Sequence, residues 1–152
     1  MRFVISSSGA AALLAAVAWW SGAQAANLGA PAPAGSDLGK AKAQIEQNDW
    51  PAAVARLEKY VKDNPSDPDG FNLLGYSLRQ LKRYPEAIQH YKEALRLDPQ
   101  HRGALDYLGQ AYVQLKELDK AKELLASLDK ICGPQCEQYL ELKKAIAKAE
   151  KP

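Results

Sequence analysis

From Asp37 onward, apolar residues recur with the period of a helix rather than a strand. Phe71, Leu74, Leu78 and Leu81 fall at i, i+3, i+7 and i+10, which is one face of a helix. Ala87, Ile88, Tyr91, Ala94 and Leu95 mark a second face. Gly75 and Ala87 are small at the places where these two helices must approach closely. Pro99, after Asp98, stops the second helix and starts the next turn. Tyr84-Pro85-Glu86 and Trp50-Pro51-Ala52 put proline in a first helical turn, where its missing N–H costs nothing. Leu118-Asp119-Lys120 stands at the matching place further on, with Asp119 expected as the cap. A last stripe, Tyr139, Leu142, Ala145, Ile146 and Ala149, has Glu141, Lys143, Lys144 and Lys148 largely outside it.

The pattern repeats every 34 residues. Leu74-Gly75 recurs as Leu108-Gly109, and the same shift carries Phe71 onto Leu105, Leu78 onto Tyr112, Ala87 onto Ala121 and Tyr91 onto Leu125. Shifted backwards, Ala87 falls on Ala53, Tyr91 on Leu57 and Pro99 on Pro65. In these residues the chain resembles the tetratricopeptide-repeat family, with its aromatic, Leu-Gly, aromatic, small Ala, aromatic and Pro. The middle copy, 68–101, departs from that pattern only at Leu78. The third, 102–135, has Leu128 where a small residue is expected. The first, 34–67, is degenerate in its first helix, with Ala41 at the glycine place, but keeps Ala53, Leu57, Tyr60 and Pro65. The resemblance implies an all-α, right-handed superhelix of about three helix-turn-helix hairpins. Each hairpin has apolar faces that only its neighbours can bury, so the stripe over 137–150 is expected as a C-terminal capping helix. The repeat domain is expected over 37–152.

The amino terminus is of another kind. Met1-Arg2-Phe3-Val4-Ile5, a run of small apolar residues from Gly9 to Trp20, and Ala23-Gln24-Ala25 are the three parts of a secretory signal peptide. Residues 1–25 are expected to be removed, leaving a mature chain from Ala26 that is exported, periplasmic and not inserted in the membrane. No cysteine lies near that cleavage site to carry a lipid. An uncleaved N-terminus tethering the domain through Trp19-Trp20 is the alternative. Residues 26–36 are rich in Ala, Pro and Gly and read as a linker.

Composition narrows the function. Of 152 residues, 47% are apolar, enough for a core, and the 20 basic residues nearly cancel the 18 acidic ones. No basic stripe is interleaved with aromatics, so a nucleic-acid partner is not expected. Cys132-Gly133-Pro134-Gln135-Cys136 is expected to close a structural disulfide in an exported protein. The alternative is a redox-active accessory protein in which the C-x3-C pair cycles. A zinc site would need two more ligands, and only His90 and His101 exist, so no metal or cofactor is expected. No nucleophile elbow, H-E-x-x-H motif or phosphate-cradling glycine loop is present. His90 reads as a solvated surface residue and His101 as a turn residue, both without a partner, and no enzyme is expected.

What remains is binding. In the family it resembles, the first helices of successive repeats line a concave groove that holds an extended peptide or a partner helix. Carried over place by place, this implies Asn72, Tyr76 and Arg79 in the middle repeat, Asp106 and Gln110 in the third, and Lys42 in the first. Some members clamp a terminal carboxylate with Lys, Arg and Asn; here Asp106 and Glu46 intrude and argue against that mode. The expected function is a non-catalytic scaffold or adaptor of the cell envelope.

Overall fold

The computed structural model describes residues 36–151, so the signal-like segment 1–25 and most of the linker lie outside the described residues. Within them the chain forms seven helices: α1 (Asp37–Glu46), α2 (Trp50–Asp63), α3 (Pro68–Gln80), α4 (Tyr84–Leu97), α5 (Arg102–Gln114), α6 (Leu118–Cys132) and α7 (Glu137–Ala149). They pair as antiparallel hairpins α1–α2, α3–α4 and α5–α6, and each hairpin stacks on the next through α2–α3 and α4–α5. This is the all-α repeat superhelix that the family resemblance implied.

Helix starts follow local chemistry. Ser36 Oγ accepts the Gly39 N–H at 3.0 Å, Asp49 Oδ1 that of Ala52 at 3.3 Å, and Asp67 Oδ1 that of Asp69 at 3.0 Å. The expected cap at Asp119 is corrected. Leu118 is already helical, Glu117 holds the cap place without a side-chain bond, and Asp119 lies in the first turn. There its carboxylate still faces the positive end of the helix dipole. The reason is a turn shared by all three hairpins: Asn48, Lys82 and Lys116 adopt left-handed φ of 58°, 60° and 61°. That single reversal brings the chain straight into the next helix.

The core is one continuous cluster running from Leu38 and Ala41 through Leu57, Leu74, Leu78, Ala87 and Tyr91 to Leu128, Leu142 and Ile146. Two glycines set its tightest crossings. A Cβ on Gly75 would lie 2.7 Å from the Tyr91 ring, so the absence of a side chain is what lets α4 lie against α3. A Cβ on Gly109 would strike the Leu142 side chain, which fixes how closely α7 packs on α5. α7 lies mainly against α5 and also contacts α6, whereas α3 and α5 each meet the preceding hairpin chiefly through its second helix. Leu142 and Ile146 are buried as expected, but Ala149, in the last turn, is exposed.

A concave groove as candidate functional site

The site begins with Tyr76. Its place one residue after Gly75 turns its ring away from the α3–α4 crossing and toward α5. The Tyr76 ring lies 5.0 Å from that of Tyr107 on α5 and 5.8 Å, edge-on, from Trp50 at the start of α2. Tyr107 in turn lies 6.2 Å from Tyr91 beneath it. Arg79, one turn along α3, places its guanidinium over both tyrosines, 5.4 Å from the centre of Tyr76 and 5.5 Å from that of Tyr107. Such stacking draws a cation to the electron-rich ring faces and holds it still. No carboxylate among the described residues forms an ion pair with Arg79, and its Nε is buried without a partner.

These side chains line an open cavity of about 440 Å³ together with Gln110 of α5 and Glu141, Lys144, Ala145 and Lys148 of α7. Of the six residues expected in the groove, Tyr76, Arg79 and Gln110 are brought together around it. Asn72 and Asp106 are not on its surface. Asn72 is 7% exposed, with Oδ1 unpartnered, and Asp106 is 1% exposed. Both sit one turn deeper, where neighbouring first helices touch and leave no room for solvent. Lys42, half-buried on α1, stands outside the cavity. Tyr107 and the α7 residues were not anticipated. Tyr107 lies one residue after an expected groove position, and the solvent-facing lysines of the capping helix α7 border the groove.

Asp106 is the unusual group. The Gln110 Nε2 donates to its Oδ1 at 2.9 Å, while Oδ2 is buried with no partner. Burial pushes its carboxyl from the ordinary carboxylate range up to about 7, and Glu141 on α7 adds to the rise. The Gln110 bond and the positive charge of Arg79 pull the other way without prevailing.

Both histidines differ from expectation. His90 is half-buried and stacks on Phe71 with ring centres 6.2 Å apart, and burial holds its pKa below the usual imidazole value. His101 caps α5: its Nδ1 accepts the Ala104 N–H at 3.1 Å. Nε2 therefore carries the proton and donates to Asp69 at 3.0 Å, a contact that lowers the Asp69 pKa. The ring thus ties the start of α5 to the start of α3. Cys132 and Cys136 lie at the α6–α7 junction with Cα atoms 5.8 Å apart, where Gly133 takes a φ of 79°. Among the described residues, no helix is long and apolar enough to cross a membrane.

Two tetratricopeptide-repeat models match this sequence, over residues 38–102 and 78–146, and together they cover well over half of the chain. Human intraflagellar transport protein 70A is 38% identical over 73 residues, 47% of this chain and 11% of its own length. The chain therefore spans only a small part of that curated relative. Among solved structures, the TPR2B domain of yeast Sti1 in its pHsp70 complex superposes with a TM-score of 0.67 at 25% identity. The match covers 74% of this chain and 92% of that one. The second TPR domain of human RPAP3, in complex with the HSP70 peptide SGPTIEEVD, gives a TM-score of 0.68 at 16% identity, over 77% and 94% of the two chains.

Proposed function

We propose, for a chain that belongs to the tetratricopeptide-repeat family, that its concave groove holds an extended peptide or partner segment, making it a non-catalytic interaction scaffold of the cell envelope. The observation that carries this reading is the Tyr76–Tyr107 pair with Arg79 stacked on it, opening onto the cavity closed by α7. Aromatic and arginine side chains held rigid before a ligand arrives lose little entropy on binding and are the usual anchors of an interface. The likeness to the Sti1 domain of the pHsp70 complex supports it, since the match spans nearly all of that domain.

Export is argued from Met1 to Ala25 alone. In an oxidising compartment Cys132 and Cys136 would be bridged, fixing the angle at which α7 leaves α6. Since α7 supplies Glu141, Lys144 and Lys148, that angle also shapes the groove. The test is in-cell cross-linking of the tagged protein in its native host, comparing wild type with Tyr76→Ala/Tyr107→Ala. A discrete partner captured by wild type and lost from the variant is expected. Equal capture by a folded variant would refute the groove, and an intact mass still containing residues 1–25 would refute cleavage.

A further inference from the structure

The cavity between Arg79 and α7 has an uneven charge. Arg79, Lys144 and Lys148 border it, and none of the three forms an ion pair among the described residues. Against them stands one exposed carboxylate, Glu141, and the buried Asp106 beneath. Three buried polar atoms at the floor, Arg79 Nε, Tyr91 Oη and Asp106 Oδ2, make no hydrogen bond of ordinary geometry, though Arg79 lies beside the Tyr91 hydroxyl and Asp106 beside the Glu141 carboxylate. Asp106 lies close enough to feel the Arg79 charge, but the two form no ion pair. A guanidinium held over two adjacent tyrosine rings presents its remaining N–H donors in a fixed plane, the geometry a carboxylate accepts best.

We propose that this cavity takes a side-chain carboxylate of an extended acidic segment on Arg79, and that Asp106 beneath it is a proton-operated competitor for the same guanidinium. The proposal rests on the peptide-binding reading above and names the chemistry and control of that groove. The groups facing Asp106 are Arg79 of α3, Tyr107 and Gln110 of α5, and Glu141 of α7, with Lys144 and Lys148 further along α7. Protonated Asp106 is neutral and leaves the Arg79 charge free for the ligand. Ionised Asp106 partly neutralises Arg79 and repels an incoming carboxylate across a poorly solvated gap. Since Asp106 loses its proton near neutrality, acidic segments bind more tightly at pH 6 than at pH 8, and binding takes up a proton. Lys144 and Lys148 add attraction that salt weakens, whereas the stacked Arg79 contact is screened less.

The experiment is selection from a library of random short peptides displayed with blocked carboxyl termini, followed by fluorescence anisotropy on a histidine-free binder. Blocking the termini separates a side-chain carboxylate from a chain-end one. Wild type at pH 6 is expected to enrich Asp and Glu. The selected binder should lose about tenfold in affinity when its Glu is replaced by Gln, and again in Arg79→Met, which keeps an apolar stem over the rings. Raising the pH to 8 should weaken wild type several-fold and leave Asp106→Asn unchanged. Peptides captured without acidic enrichment, or with full affinity for Arg79→Met, overturn the proposal and leave the peptide groove standing. A pH dependence that persists in Asp106→Asn overturns the role of Asp106. Capture of no peptide at all counts against the groove itself.

Discussion

Gly75→Ala is the sharpest test of the repeat packing, because two opposing effects act at one position. In an exposed helix, replacing glycine by alanine stabilises by about 1 kcal/mol, since alanine loses less backbone freedom on folding. In this protein the new Cβ would lie 2.7 Å and 2.8 Å from two carbons of the Tyr91 ring and 3.1 Å from the Ala87 carbonyl oxygen. Carbon atoms rest at about 3.5–4.0 Å, so the overlap approaches 1 Å. Tyr91 is fully buried and braced by Tyr107, and the Ala87 oxygen belongs to the backbone of α4. Neither can yield without moving the helix. Overpacking of this kind costs about 1–3 kcal/mol, and the middle of that range leaves a net loss of about 1 kcal/mol after the propensity gain. For a domain of this size that lowers the midpoint by roughly 4 °C or more. Gly103→Ala is the matched control. Its nearest neighbours, Asn72 Nδ2 at 3.2 Å and His101 Cε1 at 3.4 Å, are side-chain atoms, so its stability should change by less than about 0.5 kcal/mol. Urea unfolding followed by far-UV circular dichroism measures both. A Gly75→Ala protein as stable as wild type would mean that propensity outweighs the crossing, and the close approach of α3 and α4 would be refuted.

Three further outcomes are expected. Between the ordinary aspartate value and about 7, folded Asp106 keeps a proton that the unfolded chain sheds. Stability should therefore fall as pH rises through that window, by at most about 4 kcal/mol, and level off above it. Asp106→Asn should match wild type near pH 4 and exceed it at pH 8 in urea titrations, and an unchanged slope would refute the assignment. His101→Ala strips the cap from α5 and the bond to Asp69, costing about 1–2 kcal/mol in thermal melts. His101→Asn, which can still cap, should recover most of that, and equal losses would show that the cap contributes nothing. Protein purified without reductant should show no free thiol after denaturation, and reduction should lower its stability by about 2 kcal/mol or less. Two reactive thiols in that protein would refute the bridge between Cys132 and Cys136.

The 34-residue period, the Leu-Gly pairs and the proline punctuation determined the fold from sequence alone, because each is a local signal. Helical faces, helix stops and the small residues at Gly75, Ala87 and Gly109 are read within a few turns, and a repeat displays the same reading several times. That was enough to fix the hairpins and to identify α7 as their cap. The left-handed turns at Asn48, Lys82 and Lys116 share the period but not a residue type, so only the backbone exposed them. The groove was legible as a set of equivalent places, yet the depth of each place was not. Asn72 and Tyr76 are neighbours on one helix face, and whether a side chain is covered depends on how close the next helix comes. That distance is set by residues far away in the chain: Gly109 under Leu142 brings α7 in, and with it Lys144 and Lys148. In the same way His101, just before α5, found Asp69 in the first turn of α3, and burial between two helices raised the Asp106 carboxyl. Sequence thus determined which elements form and in what order they stack. Tertiary packing alone decided which polar groups lose water, since desolvation depends on neighbours that no local pattern names.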